Sequence, residues 1–415
     1  LIFVEGRANT CSVTGKAALV GVIVVPEGLD VKTPIGGLSP LARHALSLQA
    51  AGVTRIDCVG AVQDDTWSHA GLRVPIQSVT SAPALADGEH ALLVHAAWSP
   101  HRLALTYVAE EWRSGAMTAP TWVGPRAGML GLIDAANLSS ALRGGDGAEV
   151  AFADRVEALP EGVFVVGASS ASERRAATTL HLVSLSKVTG GVIDRLVMRP
   201  VTRHLTRVLC RTGVTPNMVS VFSIALGLIA AYLASLPEAS AGLWAGAVLI
   251  AVRFIDCVDG ELARLKYMGS RLGAWLDTLG DGVGIFAFVL GVWMHVLATD
   301  LADVQRWQAV GAVGLASWVG VQVAQVLASR QISGSGSVQE IAWGHLQAER
   351  TWSERLVAAV AVFARIDTIG VAYGILTMAG LYRVLLVVHA VSATLGALYF
   401  SLQLVRNRVG KVSVA

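Results

Sequence analysis

The sequence predicts an α/β N-terminal domain followed by an all-α six-helix transmembrane domain. Three observations carry that reading. The 415 residues are 53% hydrophobic and only 15% charged, against about 25% charged in a typical soluble domain, and the mean hydropathy is +0.57. Short β-branched runs alternate with helical patterns up to about residue 186. After residue 213, apolar spans long enough for the roughly 20 residues a bilayer requires follow one another. This composition excludes a disordered chain, a fibrous chain, a coiled coil and a nucleic-acid-binding domain built on basic patches. Lys+Arg 32 against Asp+Glu 30 gives a net charge of +2, so no bulk attraction to a polyanion is expected. The cysteines Cys11, Cys58, Cys210 and Cys257 form no CxxC pair and no His/Cys cluster, which argues against a disulfide framework or a zinc site and suits a reducing face. Residues 1–20 contain no charged region followed by a long apolar run, so no signal peptide is expected.

In chain order, Gly21–Val25, Arg55–Val59, Ala91–His95 and Val163–Val166 read as buried strands, because each is short, apolar and bounded by turn residues. Between the first two, Ser39-Pro40 opens a helix over 41–51, with Ser39 as N-cap and Pro40 in the first turn. Strand, helix and strand at this spacing predict a βαβ unit and a parallel sheet in a domain over 1–186.

Residues 187–213 form a linker. Arg195, Arg199, Arg203, Arg207 and Arg211 recur every four residues, with Leu196, Val201, Leu205, Val208 and Leu209 between them. The pattern predicts an amphipathic helix at the membrane interface with arginines near lipid phosphates. A positively charged topology anchor is the alternative.

Residues 214–415 then hold six spans, at 217–236, 240–262, 272–298, 308–328, 356–381 and 384–405. Their many Gly and Ala residues allow close helix approach and would permit a homodimer. Basic residues gather before the first span, in the second-to-third loop (Arg264, Lys266, Arg271), in the fourth-to-fifth loop (Arg330, Arg350, Arg355) and at the tail, whereas the opposite loops hold only Arg306 and Arg383. The positive-inside rule therefore places both termini and the N-terminal domain in the cytoplasm.

Charges inside membrane helices are costly and mark function by default. Asp256 and Asp259 are three residues apart and share one helix face; Asp277 and Asp281 are four apart and share another. A short turn near Gly269-Ser270 brings the two faces together. Four carboxylates in low dielectric repel unless cations neutralise them, and oxygen ligands favour Mg²⁺, Mn²⁺ or Ca²⁺. Gly260 and Gly273 leave open backbone for a bulky ligand, and Arg264 is suited to a phosphate oxygen. Metals beside an arginine point to phosphoryl transfer. Interhelical salt bridges fail as the whole explanation, since two nearby arginines cannot neutralise four aspartates and Glu261. A proton- or ion-coupled transporter using the intramembrane acids is the rival reading.

The stretch Asp256-x2-Asp259-Gly260-x2-Ala263-Arg264-x8-Gly273-x3-Asp277-x3-Asp281 resembles the full motif of the CDP-alcohol phosphotransferases. The resemblance implies transfer of a phospho-alcohol group from a CDP-linked donor to an acceptor hydroxyl, with release of CMP. It also implies two Mg²⁺ or Mn²⁺ ions held by Asp256, Asp259, Asp277 and Asp281, with Asp281 as candidate base. Asp259, Gly260, Ala263, Arg264 and Gly273 would line the CDP site. Pro216 and Asn217, after Thr215 at the mouth of the first span, look like the family's entry sequence; plain helix capping is the alternative. Arg199, Arg203 and Arg365 are candidates for an acceptor phosphate. The donor would be CDP-diacylglycerol or a CDP-polyol, the acceptor an alcohol such as an inositol phosphate, and the product a phospholipid or polyol phosphodiester.

Lys32-Thr33-Pro34-Ile35-Gly36-Gly37, Leu41-Ala42-Arg43 and Ala51-Gly52-Val53 are similar to the start of sugar nucleotidyltransferases. The whole chain accordingly resembles the bifunctional inositol-phosphate cytidylyltransferase and di-myo-inositol phosphate phosphate synthase family. It departs from that pattern where chemistry would sit. The loop Val25-Pro26-Glu27-Gly28-Leu29-Asp30 has one glycine and two acids, and the central strand ends His95-Ala96-Ala97-Trp98 without a carboxylate. A triphosphate cradle needs a glycine-rich loop with a basic residue. The N-terminal domain is therefore expected to be nucleotidyltransferase-like and non-catalytic.

Overall fold

The computed structural model describes residues 18–60, 62, 67, 69–125, 127–143, 156–185, 194–332 and 366–412. The chain divides into two compact units. The first is Leu1–Leu185 with two short later segments, Cys210–Thr212 and Arg264–Met268. The second comprises Ser186–Leu209, Gly213–Ala263 and Gly269–Ala415.

The first unit is built on β1 (Leu19–Val24), α1 (Pro40–Ala50), β2 (Ile56–Val59), β3 (Ile76–Val79), β4 (His90–His95), β5 (Trp98–Pro100), α2 (Ala104–Ser114), β6 (Thr121–Val123), β7 (Leu130–Asp134), α3 (Ala135–Arg143), β8 (Val156–Glu157), β9 (Val165–Gly167) and α4 (Ala171–Ser184). Seven strands form one sheet in the order β3-β2-β1-β4-β7-β6-β8. The β1, β2, β3 and β4 pairings are parallel, as the βαβ spacing predicts, but β7 runs antiparallel to both β4 and β6. The sheet is thus mixed rather than parallel. The last of the four expected strands lies outside it, where β9 pairs with β5. Helix α1 starts as its cap chemistry dictates: the Ser39 hydroxyl accepts from the Ala42 amide at 3.2 Å, with Pro40 in the first turn. One sheet face buries Leu19, Ile23, Leu92 and Val94 with Leu41, Ala45 and Leu48 of α1 and Leu105 and Val108 of α2; the other buries Val20, Val22 and Leu93 with Leu138 of α3.

The strand order reverses between β1 and β4, where open α/β sheets bind ligands beyond the strand ends. Here the loop after β1 is closed by its own contacts. One Asp30 oxygen accepts from the Lys32 and Thr33 amides, each at 3.0 Å, and the other meets Arg174 of α4 at 2.9 Å. Gly36 and Gly37 have positive φ, and a Cβ on Gly37 would overlap the Cys210 carbonyl, which lies in the same unit. The glycine pair therefore serves backbone packing. Four histidines, His44, His95, His101 and His181, are buried in this unit, and His181 Nε2 lies 2.8 Å from the Ser99 hydroxyl.

The second unit begins with a π-helical turn, Asp194–Met198, and α5 (Arg199–Leu209). It continues with α6 (Pro216–Ser235), α7 (Ala239–Leu265, whose last two residues belong to the first unit), α8 (Arg271–Thr299), α9 (Val304–Ile332), α10 (Ile366–Met378) and α11 (Tyr382–Val412). Among the described residues five helices, not six, are long and apolar enough to cross a membrane. The shortfall is at the span expected over 356–381: it is described only from 366 onward and contributes a shorter apolar helix, Thr368–Met378. The other five match their expected positions to within a few residues. Met218, Phe222, Ile229, Tyr232, Leu243 and Trp244 are exposed, while Ser220, Ser223, Ala230 and Ala234 are buried. Large apolar side chains outside and small ones inside is how helices pack in lipid. A Cβ on Gly291 of α8 would overlap the Ala231 carbonyl of α6, and one on Gly246 of α7 would overlap the Gly374 carbonyl of α10.

Burial pushes His44 down to about 3 and His101 to about 4, and holds His181 well below the ordinary range. Unfolded histidines titrate near 6.5, so below that pH the unfolded state binds more protons than the native one. The contribution of these groups is complete above pH 6.5 and is lost as pH falls from there through about 4 for His101 and about 3 for His44. Hydrogen exchange of the β1 and β4 amides in the full chain, corrected for the intrinsic rate, should show protection falling about tenfold or more between pH 7.5 and pH 5. Unchanged protection would contradict the buried neutral state.

Candidate active site

The motif aspartates stand at the ends of α7 and α8 that flank their connecting turn. Ser270 caps α8 by accepting from the Gly273 amide at 2.9 Å, and Thr215 caps α6 by accepting from the Met218 amide at 3.4 Å. Capping is therefore one use of the Thr215-Pro216-Asn217 sequence. The second lies in Asn217 itself: its side-chain oxygen is 3.0 Å from where a Cβ on Gly273 would stand. Pro216, Asn217 and Gly273 are thus brought together at the N-termini of α6 and α8.

Asp256, Asp259 and Asp277 converge, each offering an oxygen within 4.8 Å of the others. Asp259 is buried, and the Ser220 hydroxyl of α6 donates to it. Its other oxygen accepts from the Gly260 amide. Three close carboxylates form a hard, anionic oxygen donor set, which fits Mg²⁺ or Mn²⁺. Asp281 is not in this trio. It forms an ion pair with Arg253 of α7, whose side chain is 4% exposed. Gly370 of α10 leaves room for Arg253, because a Cβ there would press on Arg253 Cδ at 2.5 Å. A small cavity between α6, α7 and α8 is lined by Ser220, Ser223, Arg253, Asp256, Gly227 and Gly280.

Glu261, two residues past Asp259, is fully buried and has its own partners. Arg199 Nη1 and the Thr202 hydroxyl donate to one oxygen, each at 2.9 Å, and the Thr206 hydroxyl donates to the other at 2.5 Å. Arg199 also pairs with Asp194 at 2.9 Å. Arg199, a candidate for an acceptor phosphate, is buried here with its guanidinium on two carboxylates. The exposed face of this segment is instead Leu196, Val197, Val201, Leu205 and Val208. Arg203 is half-buried on α5. Ala263 and Arg264 are half-buried on the last turns of α7, and Arg264 groups with the first unit. Arg365 lies outside the described residues.

Sequence reasoning missed Ser220 as the partner of Asp259 and Arg253 as the partner of Asp281. The first had a signal in the small-residue stripe Ser220, Ser223, Gly227, Ala230 and Ala234. The second had one in a lone intramembrane arginine three residues ahead of the motif.

Residues 213–398 match the family model described as CDP-alcohol phosphatidyltransferase. The match covers somewhat under half of the chain and marks that stretch as similar to the CDP-alcohol phosphatidyltransferases. Among curated proteins it is 31% identical over 113 residues to a bifunctional IPC transferase and DIPP synthase of Aquifex aeolicus, covering 27% of this chain and 25% of that one. It is 34% identical over 104 residues to a phosphatidylinositol phosphate synthase of Mycobacteroides abscessus, covering 25% and 46%. It is 25% identical over 142 residues to an archaetidylinositol phosphate synthase of Pyrococcus horikoshii, covering 34% and 68%. The matched stretch spans a quarter to a half of the first two relatives. Likeness to the bifunctional proteins holds at the level of the CDP-alcohol phosphatidyltransferase superfamily.

Breaking a buried ion pair costs about 3–5 kcal/mol, because one charge is left without its partner. Arg199→Met should therefore lower the unfolding midpoint of the detergent-solubilised chain clearly. Adding Glu261→Met to it should recover only part of the loss, because the buried Asp194 also loses Arg199. An unshifted midpoint in the single variant would show that the pair does not hold α5 to α7.

Proposed function

We propose that this protein is a membrane phosphotransferase that moves a phosphatidyl or phospho-polyol group from a CDP-linked donor to an acceptor hydroxyl, releasing CMP. The observation that carries the reading is the convergence of Asp256, Asp259 and Asp277 within the stretch similar to the CDP-alcohol phosphatidyltransferases. Asp256, Asp259 and Asp277 would hold a divalent cation, which would polarise the donor phosphates and offset charge on the leaving CMP. Ser220 fixes the Asp259 carboxylate in place. Asn217, Gly260, Ala263, Arg264 and Gly273 make room for and orient the CDP moiety. Asp281 accepts the proton of the acceptor hydroxyl as its oxygen bonds to phosphorus and the bond to CMP breaks.

The donor class is CDP-diacylglycerol or a CDP-polyol, and the acceptor class includes inositol phosphates. Two of the relatives are named for phosphatidylinositol phosphate and archaetidylinositol phosphate synthesis, which supports an inositol-type acceptor. The membrane half reads as six spans with both termini cytoplasmic, supported by five long apolar helices, the shorter α10 and the loop asymmetry of Lys and Arg. The exposed apolar face of α5 supports an interfacial position for the linker.

The decisive assay uses the purified full chain in lipid, CDP-diacylglycerol or a CDP-polyol as donor, and a panel of inositol phosphate, glycerol phosphate, serine and inositol. Mg²⁺- or Mn²⁺-dependent CMP release is expected, reduced about a hundredfold or more in Asp277→Asn. Cation flux in proteoliposomes without any CDP donor, together with no CMP release, would favour the transporter reading instead.

The N-terminal unit reads as a non-catalytic module. Arg174 and local amides already take up Asp30 in the loop where a triphosphate cradle is needed. The full chain given CTP, Mg²⁺ and inositol phosphate should release no pyrophosphate. Sustained release would overturn this part.

A further inference from the structure

The residues similar to the start of sugar nucleotidyltransferases have a use in the first unit that involves no nucleotide. The segment Arg264–Met268 belongs to that unit, and it directly continues the motif stretch of α7. We propose that Arg43 and Tyr267 are positioning residues for CDP binding: through them the first unit fixes the end of α7 and so sets where Arg264 stands. The inference rests on the phosphotransferase reading, and it gives the non-catalytic unit a task.

Leu265 is the last residue of α7, so its carbonyl has no partner within the helix. Arg43 Nη2 of α1 donates to it at 3.1 Å. The same guanidinium donates to the Ile35 carbonyl, at 3.3 Å from Nε and 2.7 Å from Nη2. A cation is also the charge that a helix C-terminus favours. Arg43 is 1% exposed, and arginine is rarely buried so fully unless its donors are taken up. Among the described residues, Tyr267 is the one non-glycine with positive φ, at +54. A bulky side chain stays in that left-handed region only where its surroundings hold it there. Arg43 and Ser47, one turn apart on α1, do so. The guanidinium lies over the Tyr267 ring, 5.8 Å from its centre, and the Ser47 and Tyr267 hydroxyls are 2.6 Å apart. Between Leu265 and Tyr267, Lys266 Nζ donates to the Thr212 carbonyl at 2.9 Å. Gly36 leaves the space required, since a Cβ there would press on Leu265 Cδ1 at 2.8 Å and on Arg43 Nη2 at 2.9 Å. Apolar packing alone would allow the segment to slide. A forked cation on two carbonyls and a left-handed tyrosine fix its direction, and Arg264 is bonded to its first residue.

The test is calorimetric binding of CMP, the moiety both donor classes share, to the full chain in detergent with Mg²⁺. Tyr267→Gly, which frees the backbone and removes ring and hydroxyl, should weaken CMP binding about fivefold or more. Ser47→Ala and Arg43→Lys should weaken it in the same direction, because an ammonium keeps the charge but not the fork. Ile133→Val thins the core on the sheet face away from α1, so it should lower the unfolding midpoint and leave CMP affinity within about twofold. A merely structural role would reduce the number of binding sites per chain as folded protein is lost and leave the affinity alone. That result in Tyr267→Gly and Arg43→Lys would overturn the proposal. Should Arg43→Lys fail to fold, Tyr267→Gly and Ser47→Ala decide. Wild type that neither binds CMP nor releases it from a CDP donor would defeat the phosphotransferase reading and this inference with it. Wild-type binding and release with unmoved variants would defeat the inference alone.

Discussion

Crowding of negative charge in an apolar bundle is the constraint on which the second unit is organised. Asp256, Asp259 and Asp277 lie within 4.8 Å of one another, among helices whose outward faces are made for lipid. Like charges this close, away from water, repel strongly. Among the described residues, the surrounding structure gives counter-charges to the carboxylates beside the trio. Glu261 is tied to Arg199 and two threonines, and Asp281 to Arg253. What is left over is a compact cluster of carboxylate oxygens.

That arrangement requires helices close enough for short side chains to meet. Asp and Ser reach only a few ångströms from their backbones, so the backbones themselves must approach. The positions where a Cβ would overlap a neighbour, Gly291 against α6 and Gly246 against α10, supply this closeness. Gly370 does the opposite service, leaving space for a long arginine. The glycines of the membrane half therefore divide into those that draw helices together and those that hold a place open for a charge. Both kinds are needed to present three acids at one point and an ion pair beside it.

The parts of the fold legible in the sequence are those set by local chemistry. Ser39-Pro40 announced α1, the apolar spans announced five membrane helices, and three- and four-residue spacings announced which aspartates share a face. The parts that were not legible depend on partners distant in the chain. Strands β6 and β8 are three and two residues long, too short to show a period. The antiparallel sense of β7 is set by its pairing with β4, far from its own residues. Arg199 and Glu261 are 62 positions apart, so nothing near either one reveals the pair. Counting charges within α7 alone left Glu261 without a counter-ion, when its arginine comes from the linker helix.

The linker helix shows how such a distant pair can change the reading of one residue in a periodic pattern. An arginine at every fourth position suggested a cationic stripe turned to lipid phosphates. Arg199 belongs to the buried face with Thr202 and Thr206, Arg203 and Arg207 are half-buried, and the exposed side carries Leu196, Val201, Leu205 and Val208 together with His204. Polar inside and apolar outside is unstable for a helix surrounded by water and natural for one whose outer face meets lipid. The same buried polar face that holds Glu261 therefore also aims the apolar face outward. One ion pair sets both the rotation of α5 and the environment of the residue two positions from Asp259.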